Sequence, residues 1–129
     1  MKRLLFLLAA ALLLTACGTK IHKNVDAQVA EDSMQIMDRI LYNIDNGTPI
    51  EDISEDDYRL FERFTNKYIE KTDVISVELD GVDRSINTMT AGSLIKYAKG
   101  VALESDKEDI EDNYELMVQF IEEGESASD

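Results

Sequence analysis

The chain has 129 residues, of which 27 are acidic and 13 basic, for a net charge of −14. That balance argues against nucleic acid as a partner, because binding there relies on Lys and Arg neutralising phosphates. It argues equally against a body lying flat on anionic lipid.

The first residues are unlike the rest. Lys2 and Arg3 precede an unbroken apolar run over residues 4–14, and small residues Thr15, Ala16 and Gly18 surround Cys17, the only cysteine. A charged start, a short apolar stretch and small residues at a cut are the parts of a secretory signal peptide. The run is too short to cross a bilayer, which takes about 20 residues. Leu14-Thr15-Ala16-Cys17 closely resembles the lipobox of bacterial lipoproteins. The resemblance covers residues 1–18. It implies a leader of residues 1–16 that is removed, a diacylglyceryl group on the Cys17 thiol, and a membrane anchor at the new N-terminus. Two acyl chains hold a protein stably where one does not. The implied location is extracytoplasmic: the outer face of the cell membrane, or the outer membrane in a bacterium that has two, since Gly18 is not the aspartate of inner-membrane retention. A lipidated Cys17 leaves no thiol for a disulfide, a metal or a nucleophile. Loss of Lys2 and Arg3 takes the net charge from −14 to −16.

Residues 17–25 read as a lipidated cysteine and a short tether. Lys20 and Lys23 are its only charges, with His22 between them. A lysine beside an anionic leaflet contributes about 1 kcal/mol, so residues 18–24 are expected near the headgroups; a plain solvated linker explains them equally well. Fully extended, the seven residues 18–24 reach about 25 Å, which keeps any partner close to the membrane.

One domain follows over residues 26–124, large enough to bury about two thirds of its unfolded surface. The predicted architecture is mainly α, a small four-helix bundle. Helix one spans residues 26–45, with Val29, Ile36, Ile40 and Ile44 along one line and Asp38, Arg39 and Asp45 facing away. Gly47, then Thr48-Pro49, stops it. Helix two spans residues 54–71. Ser54 is its N-cap, and Glu55, Asp56 and Asp57 suit the positive end of the helix dipole. Its apolar face is wide: Tyr58, Leu60, Phe61, Phe64, Tyr68 and Ile69 cover about half the circumference.

Residues 74–86 are ambiguous. Ile75, Val77 and Leu79 alternate with polar residues before Asp80-Gly81, which signals a hairpin; a further short helix ending at Gly81 competes, and β-branched residues favour the hairpin. Helix three spans residues 90–103, its stripe formed by Ala91, Leu94, Ile95, Ala98, Val101 and Ala102, with Gly100 inside it. Helix four spans residues 106–123. Ser105 and Glu108 suit a capping box, Ile110, Tyr114, Met117, Val118 and Ile121 share a face, and Gly124 is the stop. The small polar residues 125–129 read as a disordered tail.

Chemistry is argued mostly by elimination. Nucleophilic catalysis needs a base beside the nucleophile, and the one histidine, His22, lies on the tether. There is no G-x-S-x-G turn and no phosphate-cradling glycine loop. The acidic stretches at residues 45–57 and 104–113 lack the glycine and glutamate of a calcium loop in register. With 27 carboxylates, no pair stands out as a hydrolytic dyad. No enzyme, cofactor or metal site is therefore expected. The leading expectation is a lipid-anchored protein-interaction module, of the immunity or exclusion type or an accessory of an envelope machine, with an envelope or membrane protein as its partner. Tyr58, Phe61, Phe64 and Tyr68 are the candidate partner face, since surplus apolar surface marks partner sites; a central helix in a small core explains the same residues. The competing functions are a small-ligand or cation-binding lipoprotein and a cryptic carboxylate hydrolase. A released signal-derived peptide is a further alternative, one that leaves the acidic domain unexplained.

Overall fold

The computed structural model describes residues 20–69, 79–100 and 105–125. They form four helices, α1 (Ala27–Asp45), α2 (Glu55–Tyr68), α3 (Gly81–Ala98) and α4 (Ser105–Glu123), with a 3₁₀ turn at Ile50–Asp52. Among the described residues there is no strand, and the fold is a small four-helix bundle. Polar contacts between helix ends fix the directions. The start of α1 meets the start of α3, where Asp26 N–H donates to Asp83 at 2.9 Å. The end of α1 meets the starts of α2 and α4, through Arg39–Asp57 at 2.8 Å and Lys107–Asp45 at 2.6 Å. The helices therefore run up, down, up, down.

Each helix boundary follows from local chemistry. The Asp26 carboxylate accepts from the N–H groups of Gln28 and Val29, closing the start of α1. At its end, Gly47 takes φ +66°, Gly47 N–H donates to Ile44 C=O and Thr48 N–H to Asn43 C=O. Those two bonds satisfy carbonyls that the helix leaves over, and a side chain at that φ is disfavoured. Ser54 Oγ accepts from Asp57 N–H at 3.1 Å to open α2.

The core is built on α1. Ala30, Ile36, Met37 and Ile40 are fully buried, as are Ile86 and Ala91 of α3 and Ile110, Met117 and Ile121 of α4, the two helices that α1 meets most extensively. α2 joins α1 and α3 along narrower contacts. It is the outer helix of the bundle, while α1 and α3 each pack against all three of the others.

The third helix departs from the sequence expectation. It begins at Gly81 rather than near Thr90 and ends at Ala98, leaving Gly100 outside at φ +73°. The Asp-Gly signal is thus a helix start, with Asp80 at the N-cap and Val82 and Ile86 buried on the first turns. The hairpin's second limb is helix; residues 74–78, its first limb, lie outside the described residues, as do residues 101–104, the expected end of helix three. The pattern misled because the inner face of α3 is small and polar. Asn87, Thr90 and Ser93 are at most 1 % exposed beside Ala91, so no apolar stripe announces that half of the helix. Thr90 and Ser93 return their hydroxyls to Ile86 and Met89 C=O. Asn87, by contrast, has neither amide atom paired, and Ser33 Oγ on α1 is likewise unpaired. α4 includes Ser105, so it starts one residue before the expected helix; the side chains of Ser105 and Asp106, and with them the expected capping box, lie outside the described residues, as does the tail at 126–129.

Candidate interaction face

The N-terminal segment is part of the fold. His22 N–H donates to Ile121 C=O at 2.9 Å, Val25 N–H donates to His22 C=O, and His22 Nδ1 accepts from Asn24 N–H. Val25 is buried and Ile21 packs against the core. Among the described residues packing begins at Ile21, not at Asp26, and His22 between Ile21 and Val25 is tied to the last turn of α4; in the sequence these two apolar residues stand alone between polar neighbours and read as linker. Lys20 and Lys23 are exposed at this end of the bundle. Cys17 lies outside the described residues.

The four aromatic residues of α2 do not share one open face. Phe61, Phe64 and Tyr68 are 4–5 % exposed, while Tyr58 is 59 % exposed. Phe61 meets the edge of Tyr97 on α3, and Phe64 stacks at a tilt on Tyr68 at 4.7 Å. Three members of the expected partner face are therefore core, and Tyr58 alone stands out in solvent. The spacing explains this: Asp57, Phe61, Phe64 and Tyr68 fall on one side of the helix, and Tyr58 falls about 90° away.

Polar ties set how α2 sits. At its start, buried Asp57 accepts from Arg39 Nε at 2.8 Å, Arg39 Nη2 at 3.0 Å and Asn43 Nδ2 at 3.0 Å. The Arg39 bonds hold the Asp57 carboxyl below its ordinary pKa against the opposing effect of burial, and Asn43 adds to them. The same bonds raise the pKa of Arg39, whose guanidinium also lies 4.2 Å over the Tyr42 ring. At the other end, Asp32 of α1 accepts from Tyr68 Oη at 2.6 Å and from Lys67 Nζ at 2.9 Å. Burial pushes the Asp32 carboxyl up, but the bonds from Tyr68, Lys67 and Gln28 outweigh it and leave it lowered. In the sequence Asp57 reads as a first-turn charge and Arg39 as a solvent residue, since a pair 18 residues apart carries no local signal.

With α2 pinned to α1, its flank toward α3 is open among the described residues. A groove of about 300 Å³ lies there, lined by Ile50, Ile53, Tyr58, Phe61, Leu94 and Ala98. Glu51 and Glu62 stand on its rim. A second hollow of about 210 Å³ continues it along Thr65, Ile69, Ile95 and Lys99. The wider part is at the end of the bundle opposite His22. Ile50 and Ile53 were the available signal, two apolar residues three apart in an otherwise polar connection. Burial pushes the nearby Tyr97 hydroxyl up to about 12, with the charges of Asp57 and Glu51 adding to it; that hydroxyl donates to Thr48 C=O at 2.6 Å.

No group of three His, Cys, Asp or Glu side chains among the described residues could hold a metal ion. No helix among them is long and apolar enough to cross a membrane. No protein-family model, curated protein or solved structure matches the chain.

Proposed function

We propose that this is a lipid-anchored, extracytoplasmic protein-interaction module without catalytic activity. The anchor is the lipidated Cys17, and the partner is an envelope or membrane protein. The observation that carries the reading is the junction between leader and fold. The lipobox resemblance ends at Gly18, and packed structure begins at Ile21. Residues 18–20 then join lipid to domain, a link of about 10 Å at full extension. With His22 bonded to Ile121, such a link holds the His22 end of the bundle at the bilayer, Lys20 and Lys23 beside the headgroups, and presents the opposite end outward. A small rigid bundle on so short a link suits a protein that meets its target at the membrane surface. Immunity or exclusion lipoproteins and accessory subunits of envelope machines fit that description by size and anchoring.

The test is metabolic labelling with an alkyne palmitate, with membrane fractionation of the wild type and Cys17→Ser. Label and membrane residence in the wild type, both lost in the variant, are the expected result. An unlabelled, soluble wild-type protein would overturn the anchor.

A further inference from the structure

The groove between α2 and α3 is apolar at its floor and acidic at its rim, and nothing in α1 or α4 covers it. We infer that it receives an amphipathic helix of another protein, with apolar side chains in the groove and lysines or arginines over Glu51 and Glu62. The inference rests on the reading of the chain as an interaction module, and is independent of the lipid.

Shape gives the first argument. Tyr58, Thr65 and Ile69 recur along one edge of α2, and 1.5 Å per residue makes that edge about 16 Å long. This matches three turns of a docked helix, whose anchors at i, i+3 or i+4, and i+7 would follow the floor. Charge gives the second. Glu51 and Glu62 are exposed and pair with no cation among the described residues, and Asp52 lies next to Glu51 in the same turn. Of the three basic side chains of α2, Arg59 pairs with Glu55 at 2.6 Å, Lys67 pairs with Asp32, and Arg63 lines a separate hollow on the side facing α1. Lys99 lines the narrower hollow, so the acidic rim belongs to the wider part; there an apolar floor under Glu51 and Glu62 selects a partner segment that is apolar on one face and basic at the margin above them.

The same charges turn away the other candidate occupants. A second copy would bring a net charge of −14 to the same patch, and repulsion between two acidic bodies opposes a two-fold dimer built on this groove. Anionic lipid headgroups are repelled in the same way, and the wider part of the groove lies at the end of the bundle opposite His22.

The experiment places a photoreactive phenylalanine analogue at position 58 of the full chain, in its own cells, with the same probe at Gln119 on α4 as the control. Adducts are digested and the crosslinked peptide is sequenced by mass spectrometry. The expected result is one dominant adduct from position 58 and none from position 119. Its peptide should carry apolar residues at helical spacing and a net positive charge. Glu51→Lys with Glu62→Lys should cut the yield at least about tenfold, and Glu115→Lys should leave it unchanged. All three positions are exposed, and circular dichroism checks that the fold is kept. The inference is overturned by no adduct at position 58, by an adduct to lipid, to a second copy or to another segment of this chain, by a partner peptide without basic residues, or by indifference to the charge reversals. A protein that fails to take palmitate yet yields the basic helical peptide would overturn the anchor and leave the groove assignment standing.

Discussion

Asp57→Ala tests how α2 is held. The carboxylate accepts three side-chain bonds, two of them from a guanidinium. Removing one partner of a buried ion pair costs about 3–5 kcal/mol, chiefly because the other charge is stranded. Here Arg39 is 36 % exposed at its side chain, so it can turn to water, and Asn43 keeps its bond to Arg39 C=O. The expected loss is therefore smaller, about 2–3 kcal/mol. In a domain of this size that lowers Tm by about 10–20 °C. Arg59→Ala, which removes an exposed pair, is the control and should cost under about 0.5 kcal/mol. The comparison is made by urea unfolding of the purified proteins, repeated across pH. The folded-state pKa of Asp57 is lowered, so its contribution is complete above the unfolded value of about 4 and is lost as pH falls through the folded value. The gap between wild type and Asp57→Ala should close as pH drops below about 4. An Asp57→Ala loss no larger than that of Arg59→Ala, or a gap independent of pH, would refute the reasoning.

Asn87→Leu keeps the branching of the side chain and removes two unpaired buried polar atoms; it should stabilise the bundle by about 1–2 kcal/mol in the same unfolding assay, and a loss would mean the amide is paired. Gly124→Ala meets two obstacles, a φ of +72° and the His22 ring lying where the new Cβ would go. It should cost about 1–2 kcal/mol and speed hydrogen exchange at His22 N–H, with His22→Ala recovering part of the loss in a double-mutant cycle. Tyr97 is raised to about 12 by burial, so it favours the fold fully below its unfolded value of about 10 and loses that contribution between there and pH 12. Tyr97→Phe should cost about 1 kcal/mol at neutral pH and show a shallower alkaline decline than the wild type.

The parts of the fold that the sequence discloses are those with a strong local pattern. α1 and α2 carry apolar residues at helical spacing behind good N-caps, and both form within a few residues of the expected ends. α3 lacks such a pattern: Asn87, Thr90 and Ser93 do at the helix interface what leucines do elsewhere, and Asp80-Gly81 serves a helix start as readily as a hairpin turn. The groove beside α2 is legible in the sequence only in part. Aromatic content marked α2 correctly as unusual, but which aromatics remain outside depends on where α2 sits, and that is decided by Arg39, Asn43 and Asp32 across the bundle. The packing of Ile21 and Val25 leaves no local mark either, since His22 between them bonds Ile121 near the other end of the chain.

The ties that hold α2 also account for the groove. A helix held mainly by apolar burial rolls until its widest apolar face is covered. α2 carries enough apolar surface to do that, from Leu60 round to Ile69, but its start is fixed by the Asp57 carboxylate in the fork of Arg39, and its end by Tyr68 and Lys67 on Asp32. Hydrogen bonds of that kind weaken steeply with angle, so they allow little roll. The helix therefore stays turned toward α1, Phe61 reaches Tyr97 of α3, and Tyr58, Ile53 and Ile69 are left lining the hollows between the two helices. An open apolar groove is thus a consequence of how α2 is pinned. Loosening the pins by Asp57→Ala should let α2 roll toward α3, narrow the groove and reduce crosslinking from position 58, even though Asp57 is not among the residues that line it.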